Sequence, residues 1–315
     1  MSSPAGDPPT NTVNGDPRLV NIVVGSDGSD EGQDAVTLGA ALASITGAGL
    51  SLVRVFPTPL FPTPGSTDRA TLRDQADKGL QRDRDLFAPE ALIHSIADSS
   101  VPRALLHFAQ RTHAGLIVIG SEPGPVGHTS IGRRGRQLLY DTPCALALAR
   151  RGLHEGAVEL RRIGVGFEGG TESRAALALA VALCRAADAT LVVRSVVEKR
   201  LPAFSTGDWV DLQGFEEAWE EQRKSAQAEA EGAVRALGSP AEVTAVFGGD
   251  PGLELRGLSD SVDLLVVGSR RWGPVARLVT GGVGETLVAE SSCSVLIVPR
   301  PETAQEEDVS GEATG

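Results

Sequence analysis

The chain uses one pattern of strand, turn and helix twice, and this repeat constrains its fold more than any other feature. In the first half, an apolar run from Leu19 ends at Gly25 and is followed by Asp27, Gly28 and Ser29. In the second half, "RIGVGFEGG" has the same order, with Glu168 matching Asp27 at an offset of 141 residues. A short apolar run closed by turn residues is typical of a buried parallel strand. A repeat of this length is too long for a solenoid and indicates duplicated domains.

Each half continues from its first strand through a helix into a second apolar strand. Between Ala35 and Ile45 the apolar residues recur near the helical period, and Leu50–Phe56 then forms a second apolar run. Strands that follow one another in this way across a helix lie parallel in one sheet. Further helices alternate with predicted strands at 91–99, 115–120 and 144–150. We therefore predict two tandem α/β domains, each an open five-stranded parallel sheet of the flavodoxin or Rossmann type with helices on both faces.

Composition sets the predicted boundaries of these domains. Residues 1–18 are rich in Pro, Gly, Asn, Asp and Ser, and residues 301–315 are acidic, so both are predicted to be disordered tails. The first domain is predicted to span residues 19–150, and the second to span residues 161–300 after a linker at 151–160. The second domain has a longer middle, with an acidic helix from about Trp209 to Leu237.

Charge and residue counts exclude several classes of function. The net charge of −12 argues against nucleic acid as a partner, and no apolar run reaches the 18 residues of a membrane span. Three scattered cysteines form neither a disulfide framework nor a zinc site. The five histidines share no ligand spacing, so we expect them at the surface and predict no metal site. The N-terminus does not have the pattern of a secretory signal, and we expect a cytoplasmic protein.

A glycine-rich loop follows a later strand in each half. The first copy reads "GLIVIGSEPGPVGHTSIGRRGRQLLY" from Gly115 to Tyr140, and the second reads "DLLVVGSRRWGPVARLVTGGVGETLV" from Asp263 to Val288. Each copy runs from an apolar strand into Gly-Ser and reaches another glycine at a predicted helix start. Glycines let backbone N–H groups approach a ligand, and a helix N-terminus carries partial positive charge. The loops therefore favour an anion.

Together these segments resemble the universal stress protein family. The resemblance rests on the strand ending in Asp-Gly-Ser, the later "DLLVVGS", the glycine loop that enters a helix, and the final strand "PCALALAR". It covers about Leu19–Arg150 and Arg161–Arg300. It implies a tandem universal stress protein whose halves pack as a pseudo-dimer through their edge strands, "CALALAR" and "CSVLIVPR". Whether two copies of the chain also form a homodimer is left open.

Both loops depart from the pattern that the resemblance implies for ATP binding, which is Gly, two residues, Gly, nine residues, Gly, then Ser or Thr. In the second half, Arg271 stands at the second Gly and Gly282 at the Ser. In the first half, Pro123 stands at the second Gly beside Gly124, the loop is one residue short, and Arg133 stands at the Ser. Two interpretations stay open: an anion site in which arginines replace backbone contacts, or a relic loop with solvated arginines.

The resemblance also implies where nucleotide contacts would lie. Ligands of open α/β sheets bind at the carboxyl ends of the strands, where the strand order reverses. The implied contacts are Asp27, Val55, Ile119, Gly120, Gly124, Gly132 and Arg133 in the first half, and Glu168, Val196, Val267, Gly268, Arg271, Gly281, Gly282 and Val283 in the second. The alternative is that Asp27 and Ser29 only shape the turn and cap the next helix. ATP is the candidate ligand, and Mg²⁺ would enter only with it.

A second nucleotide motif does not survive comparison of the two halves. Gly164, Gly166 and Gly169 spell the dinucleotide fingerprint, but the repeat places the first two inside a strand. No Walker A sequence, catalytic base or activated nucleophile can be proposed. The leading hypothesis is a stress-response protein that binds an adenine nucleotide in a regulatory role and is not an enzyme. The alternative is an interaction module on the same fold that has lost nucleotide binding.

Overall fold

A computed structural model describes residues 12–13, 16–17, 19–57, 68–122, 126–142, 144–198, 212–248, 250–269 and 283–299. A short antiparallel pair, Thr12–Val13 with Asp16–Pro17, precedes the first half. Strands and helices then alternate in both halves. The first half contains β1 (Asn21–Gly25), α1 (Asp30–Thr46), β2 (Gly49–Phe56), α2 (Arg69–Phe87), β3 (Leu92–Ala97), α3 (Val101–Arg111), β4 (Leu116–Gly120), α4 (Arg133–Asp141) and β5 (Ala145–Ala149).

The second half repeats the order after a short 3₁₀ turn at Leu153–Glu155. It contains β6 (Arg162–Gly166), α5 (Thr171–Ala187), β7 (Thr190–Glu198), α6 (Leu212–Ala236), β8 (Glu242–Gly248), α7 (Pro251–Ser259), β9 (Leu264–Ser269), α8 (Val283–Glu290) and β10 (Ser294–Pro299). The predicted acidic helix is α6, and the part of that prediction at 209–211 lies outside the described residues. Gly164 and Gly166 lie inside β6, which confirms that they are not a dinucleotide loop.

The two halves share one 10-stranded sheet with the order β8-β7-β6-β9-β10-β5-β4-β1-β2-β3. Neighbouring strands are parallel within each half, whereas β10 and β5 pair antiparallel at the seam, with Val295 opposite Leu148. The predicted α/β fold of two parallel sheets is confirmed, as is the pairing of the halves through "CALALAR" and "CSVLIVPR". In each half the strand order reverses at the first strand, β1 or β6.

Local sequence signals set the helix starts. The Ser29 hydroxyl accepts a hydrogen bond from the backbone N–H of Gly32 and caps α1. Ser100 caps α3, whose first turn contains Pro102 as predicted. Asp250 caps α7 in the same way, accepting from Gly252 N at 2.7 Å. Such caps satisfy backbone donors that have no partner inside the helix.

The apolar core is continuous across the seam. One cluster of buried side chains includes Leu116 and Ala147 from the first half together with Val165 and Leu296 from the second. The alternating strands supply Val, Leu, Ile and Ala, as the low aromatic content predicts. Burying both sides of this seam stabilises the two halves as one body, since apolar area removed from water contributes roughly 25 cal/mol per Å².

A buried carboxylate fixes the linker onto the first half. Asp34, on α1, is 1% exposed. Its two oxygens accept hydrogen bonds from the backbone N–H groups of Gly152 at 2.9 Å and His154 at 2.8 Å. The His154 ring Nδ1 lies 2.6 Å from the same carboxylate. The expectation that all histidines lie at the surface is therefore wrong for His154, because a long-range partner in α1 holds its ring in place.

Side chains from α6 cover the backbone of the edge strand β8. The Gln227 amide donates to Val243 O at 3.1 Å and accepts from Ala245 N at 2.9 Å. One side chain thus pairs with the backbone as a neighbouring strand would. Edge strands left open are sites of unwanted strand pairing, and this contact removes part of that edge.

Candidate functional site

The reversal of strand order creates one crevice in each half. The first lies at the carboxyl ends of β1 and β4, and the second lies at the carboxyl ends of β6 and β9. Parallel α/β sheets bind ligands at such points because loops to opposite faces of the sheet diverge there. Asp27 and Gly120 flank the first crevice, while Glu168 and Gly268 flank the second. These four candidate residues therefore lie at the carboxyl ends of the strands, where the sequence predicted them.

Asp27 has the turn-forming role that was its structural alternative. Its Oδ1 accepts hydrogen bonds from the backbone N–H of Ser29 at 3.0 Å and from the Ser29 hydroxyl at 2.5 Å. Gly28, between them, has a φ of 82°, a conformation that glycine adopts without strain. Asp27 is nevertheless exposed at the crevice. The carboxylate thus orders the loop while it remains accessible, and Glu168 is similarly exposed in the second half.

Gly120 and Gly268 are glycines because of helix packing. A Cβ on Gly120 would lie 2.0 Å from the backbone oxygen of Glu31 in the first turn of α1. A Cβ on Gly268 would lie 2.5 Å from the backbone carbon of Glu172 in α5. Both strand ends therefore need glycine whether or not a ligand is present. These glycines place the helix N-termini close to the crevices.

The four aliphatic candidates at the strand ends differ in how deeply they are buried. Val55 and Val196 are partly buried near the ends of β2 and β7, and each packs on one side against a core cluster. Ile119 is also partly buried, whereas Val267 is 3% exposed and belongs to the core. Val55 and Val196 therefore offer apolar surface on which a flat ring can lie, and Val267 contributes mainly to packing.

The first-half glycine loop contacts the second half. Thr129 is 2% exposed, and its hydroxyl donates to Leu287 O at 2.8 Å at the end of α8. The same hydroxyl accepts from Ser291 N at 3.0 Å, and Thr129 N donates to Ser291 O at 2.8 Å. Ile131 packs into a cluster made mostly of second-half residues. This loop therefore joins the two halves, a role that the sequence did not reveal.

An acidic side chain lies at the start of α4, where the sequence predicted an anion. The carboxylate of Glu122 lies so near Gly132, the N-cap residue, that a Cβ there would be 1.4 Å from Oε1. Arg133 is exposed in the first turn, and Gly132 makes no side-chain cap. Positive side chains at a helix N-terminus are unfavourable by themselves. The Glu122 carboxylate supplies a negative charge near the position that a phosphate would need.

Four candidates lie outside the described residues: Gly124, Arg271, Gly281 and Gly282. Val283, the next candidate, is the first residue of α8 and is partly buried. The described part of the second crevice thus comprises Glu168, Val196, Gly268 and the N-terminal end of α8.

Sequence reasoning missed two arginines near the strand ends. The guanidinium of Arg54 lies between Gly28 and Gly79, with Nη1 2.7 Å and 2.0 Å from the positions their Cβ atoms would take. Arg194, on β7, has a buried Nε with no hydrogen-bond partner among the described residues. The available signal was a charge inside each apolar run, "LSLVRVF" and "TLVVRSVV".

Cysteine and metal chemistry find no support in the part of the chain that is described. Burial raises the pKa of the Cys184 and Cys293 thiols to about 12, so both stay protonated at neutral pH. Burial also raises the pKa of Cys144. Within the described ranges, no group of three His, Cys, Asp or Glu side chains is placed to hold a metal ion. None of the described helices is long and apolar enough to cross a membrane.

The fold and crevices define a tandem pair of open parallel α/β domains with ligand-binding potential at the strand ends. The sequence profile of the universal stress protein family matches residues 20–150 and again residues 159–299. The chain belongs to the universal stress protein family. A universal stress protein of Thermus aquaticus is 28% identical over 140 residues, which is 44% of this chain and 98% of that protein.

Solved structures show the same fold over nearly the whole chain. A universal stress protein from Archaeoglobus fulgidus superimposes with a TM-score of 0.65 at 14% identity, covering 91% of this chain and 98% of that one. A protein of unknown function from Pseudomonas aeruginosa gives a TM-score of 0.65 at 15% identity, covering 93% and 98%. At these identities the likeness concerns the fold alone.

Proposed function

We propose that this tandem universal stress protein binds an adenine nucleotide, with ATP as the candidate, and acts in the cytoplasm as a regulator of the stress response. The observation that carries the proposal is the grouping of Asp27, Val55 and Gly120 at the reversal of strand order. Loops and helix N-termini converge there, and exposed carboxylate and apolar groups lie side by side. A partly buried valine offers a surface for a base, and the nearby helix N-termini favour phosphate.

A regulatory role is preferred over catalysis on chemical grounds. The described crevice residues include no paired base and nucleophile, and the described cysteines are held as neutral thiols by burial. A binding protein needs only affinity that differs between two states of the chain. Mg²⁺ would be held mainly by the phosphates of the nucleotide.

The first test follows the melting temperature of the full chain while ATP is titrated. A ligand present at a hundred times its dissociation constant stabilises the folded state by about 2.7 kcal/mol. We expect a clear upward shift in Tm at millimolar ATP, and isothermal titration should then give a stoichiometry of one or two sites. Absence of both signals would reject nucleotide binding.

Two variants assign the site to a half. Asp27→Ala should weaken ATP binding if the first crevice is used, and Gly281→Val should weaken it if the second is used. Asp77→Ala is the matched control, since the Asp77 side chain on α2 is 48% exposed and pairs with Arg73 at 3.8 Å. Equal affinity in all three variants would place the nucleotide elsewhere.

A second function, as an interaction module without nucleotide, is favoured by the first-half loop. Thr129, in that loop, bonds to the second half. The Glu122 carboxylate lies at the N-terminus of α4. Under this alternative, ATP changes neither Tm nor the titration heat of the wild-type chain. The same titration therefore separates the two functions.

A further inference from the structure

Arg194 lies at the base of the second crevice. It pairs in register with Gly166, the last residue of β6, and its carbonyl accepts a hydrogen bond from Phe167 N at 3.0 Å. The strand β7 continues for a further four residues to Glu198. Arg194 is therefore level with the point where β6 ends and the turn containing Glu168 begins.

The side chain of Arg194 projects toward the face of the sheet that α7 and α8 cover. Its alternate neighbours Val192 and Val196 pack against a cluster that contains Leu255, from α7, and Leu287, from α8. Residues two apart in a strand lie on one face, so Arg194 shares this face. Arg194 lies two residues before Val196 on this face, and Val196 is the candidate surface for a base.

Arg194 is partly buried, and one polar atom of its side chain is enclosed. Its Nε is buried and has no hydrogen-bond partner among the described residues, and no ion pair of Arg194 occurs among them. An arginine side chain keeps its positive charge in proteins. A buried donor or charge without a partner is destabilising, and native proteins rarely keep one without a use.

The first half shows that the fold does not need a charge at this position. Val53 occupies the same register, pairing with Gly25 and accepting from Ser26 N at 3.0 Å. It is 1% exposed in an apolar cluster. The second half therefore carries an arginine where the first half carries a fully buried valine.

We propose that Arg194 is the anion-binding residue of the second crevice, and that it makes this crevice selective for a phosphate-bearing ligand. The inference rests on the proposed nucleotide function and adds the ligand group and the half that it occupies. Guanidinium groups bind phosphate through paired, charge-assisted hydrogen bonds, and a phosphate would supply both the missing acceptor and the missing negative charge. The buried Nε, which has no partner among the described residues, lowers the stability of the ligand-free protein.

The substitution Arg194→Val tests both consequences, since it installs the residue of the first half. In the absence of ligand, the variant should melt about 2 °C or more above the wild type, because a buried donor without a partner is gone. The affinity for ATP and for AMP should fall tenfold or more. Arg194→Lys should keep part of that affinity, since it retains the charge and loses the planar fork.

Ligands that differ in their phosphates separate charge from base recognition. ATP, AMP and adenosine are titrated into the full chain by calorimetry. We expect Arg194→Val to weaken ATP and AMP and to leave adenosine unaffected. Arg256→Val is the control, because Arg256 is an exposed cation on α7 of the same half and should change no affinity.

Each remaining outcome overturns a stated part of the proposal. A lower Tm for Arg194→Val without ligand would show that Arg194 serves the fold. A raised Tm with unchanged ATP and AMP affinities would remove its ligand role while nucleotide binding stands. If the wild-type chain binds none of the three compounds, the proposed function fails, and this inference fails with it.

Discussion

The contact between Thr129 and the end of α8 gives the sharpest test of how the first-half loop is used. Thr129→Val keeps the shape of the side chain and removes its hydroxyl. The loss comprises the donation to Leu287 O at 2.8 Å and the acceptance from Ser291 N at 3.0 Å, both at a residue 2% exposed. A buried hydrogen bond contributes a net 0.5–1.5 kcal/mol, roughly, to stability.

Contacts that remain in the variant limit the expected loss of stability. Ser291 N also lies 3.1 Å from Leu287 O, so these two groups retain each other as partners in the variant. The backbone hydrogen bond from Thr129 N to Ser291 O is also retained. We therefore expect destabilisation of about 1–2 kcal/mol, near the lower end for two bonds. Each kcal/mol of lost stability lowers the Tm of a domain of this size by about 2–4 °C, so Tm should fall by about 2–8 °C.

Differential scanning calorimetry measures this shift, and hydrogen exchange of residues 126–131 reports on the contact itself. Thr37→Val is the matched control, because the Thr37 hydroxyl donates at 2.8 Å to Gln33 O within α1. That carbonyl already has a helical partner, so the control should change Tm by less than about 1 °C. A Thr129 variant that behaves like the control, with unchanged exchange at 126–131, would refute a joining role for the loop.

Three further predictions follow from packing and burial. Gly120→Ala should destabilise the chain by about 2 kcal/mol or more in urea, because its Cβ would overlap the backbone of α1, whereas Gly232→Ala, with open space around it, should be neutral or stabilising. Asp34→Ala should cost about 3–5 kcal/mol and expose the linker to proteolysis, since the carboxylate loses three hydrogen bonds; unchanged proteolysis would contradict this. Cys184 and Cys293 should resist Ellman's reagent at pH 8 until the chain unfolds, since a pKa raised to about 12 leaves about one thiol in ten thousand ionised; rapid labelling of the native protein would disprove this.

The two glycine loops show how a shared pattern can hide different uses. Both copies enter a helix after Gly-Ser, and the sequence therefore predicts the same anion site twice. In the first half, Thr129 bonds to the opposite half and the Glu122 carboxylate lies against the N-cap residue of α4. The shared motif thus does not by itself determine what each loop contacts.

Much of the fold could be predicted from sequence because its signals are local. Apolar runs closed by turn residues located β1 and β6, helical periodicity located α1, and the repeat located α5. Capping by Ser29 is also visible within a few residues. The repeat then required two like domains, and the family resemblance implied that they pair through their edge strands.

The contacts around the candidate site join residues that are far apart in the sequence, and no local pattern predicts them. Thr129 and Leu287 are 158 residues apart, and neither carries a pattern that names the other. The charges in "LVRVF" and "VVRSVV" look equivalent, yet the sheet register pairs Gly25 with Val53 and Gly166 with Arg194. A shift of one residue sends a side chain to the other face of a sheet.

The sequence by itself therefore determined the architecture and the repeat, and it predicted the end of the sheet at which the candidate residues lie. The tertiary structure decided that one glycine loop joins the halves and that Gly120 is required by α1. It also decided that the Nε of Arg194, below Val196, is buried without a hydrogen-bond partner in the described part of the chain. Periodicity records whether a residue faces the core. It does not show which residue from a distant part of the sequence contacts it there. These long-range contacts determine the chemistry of the site.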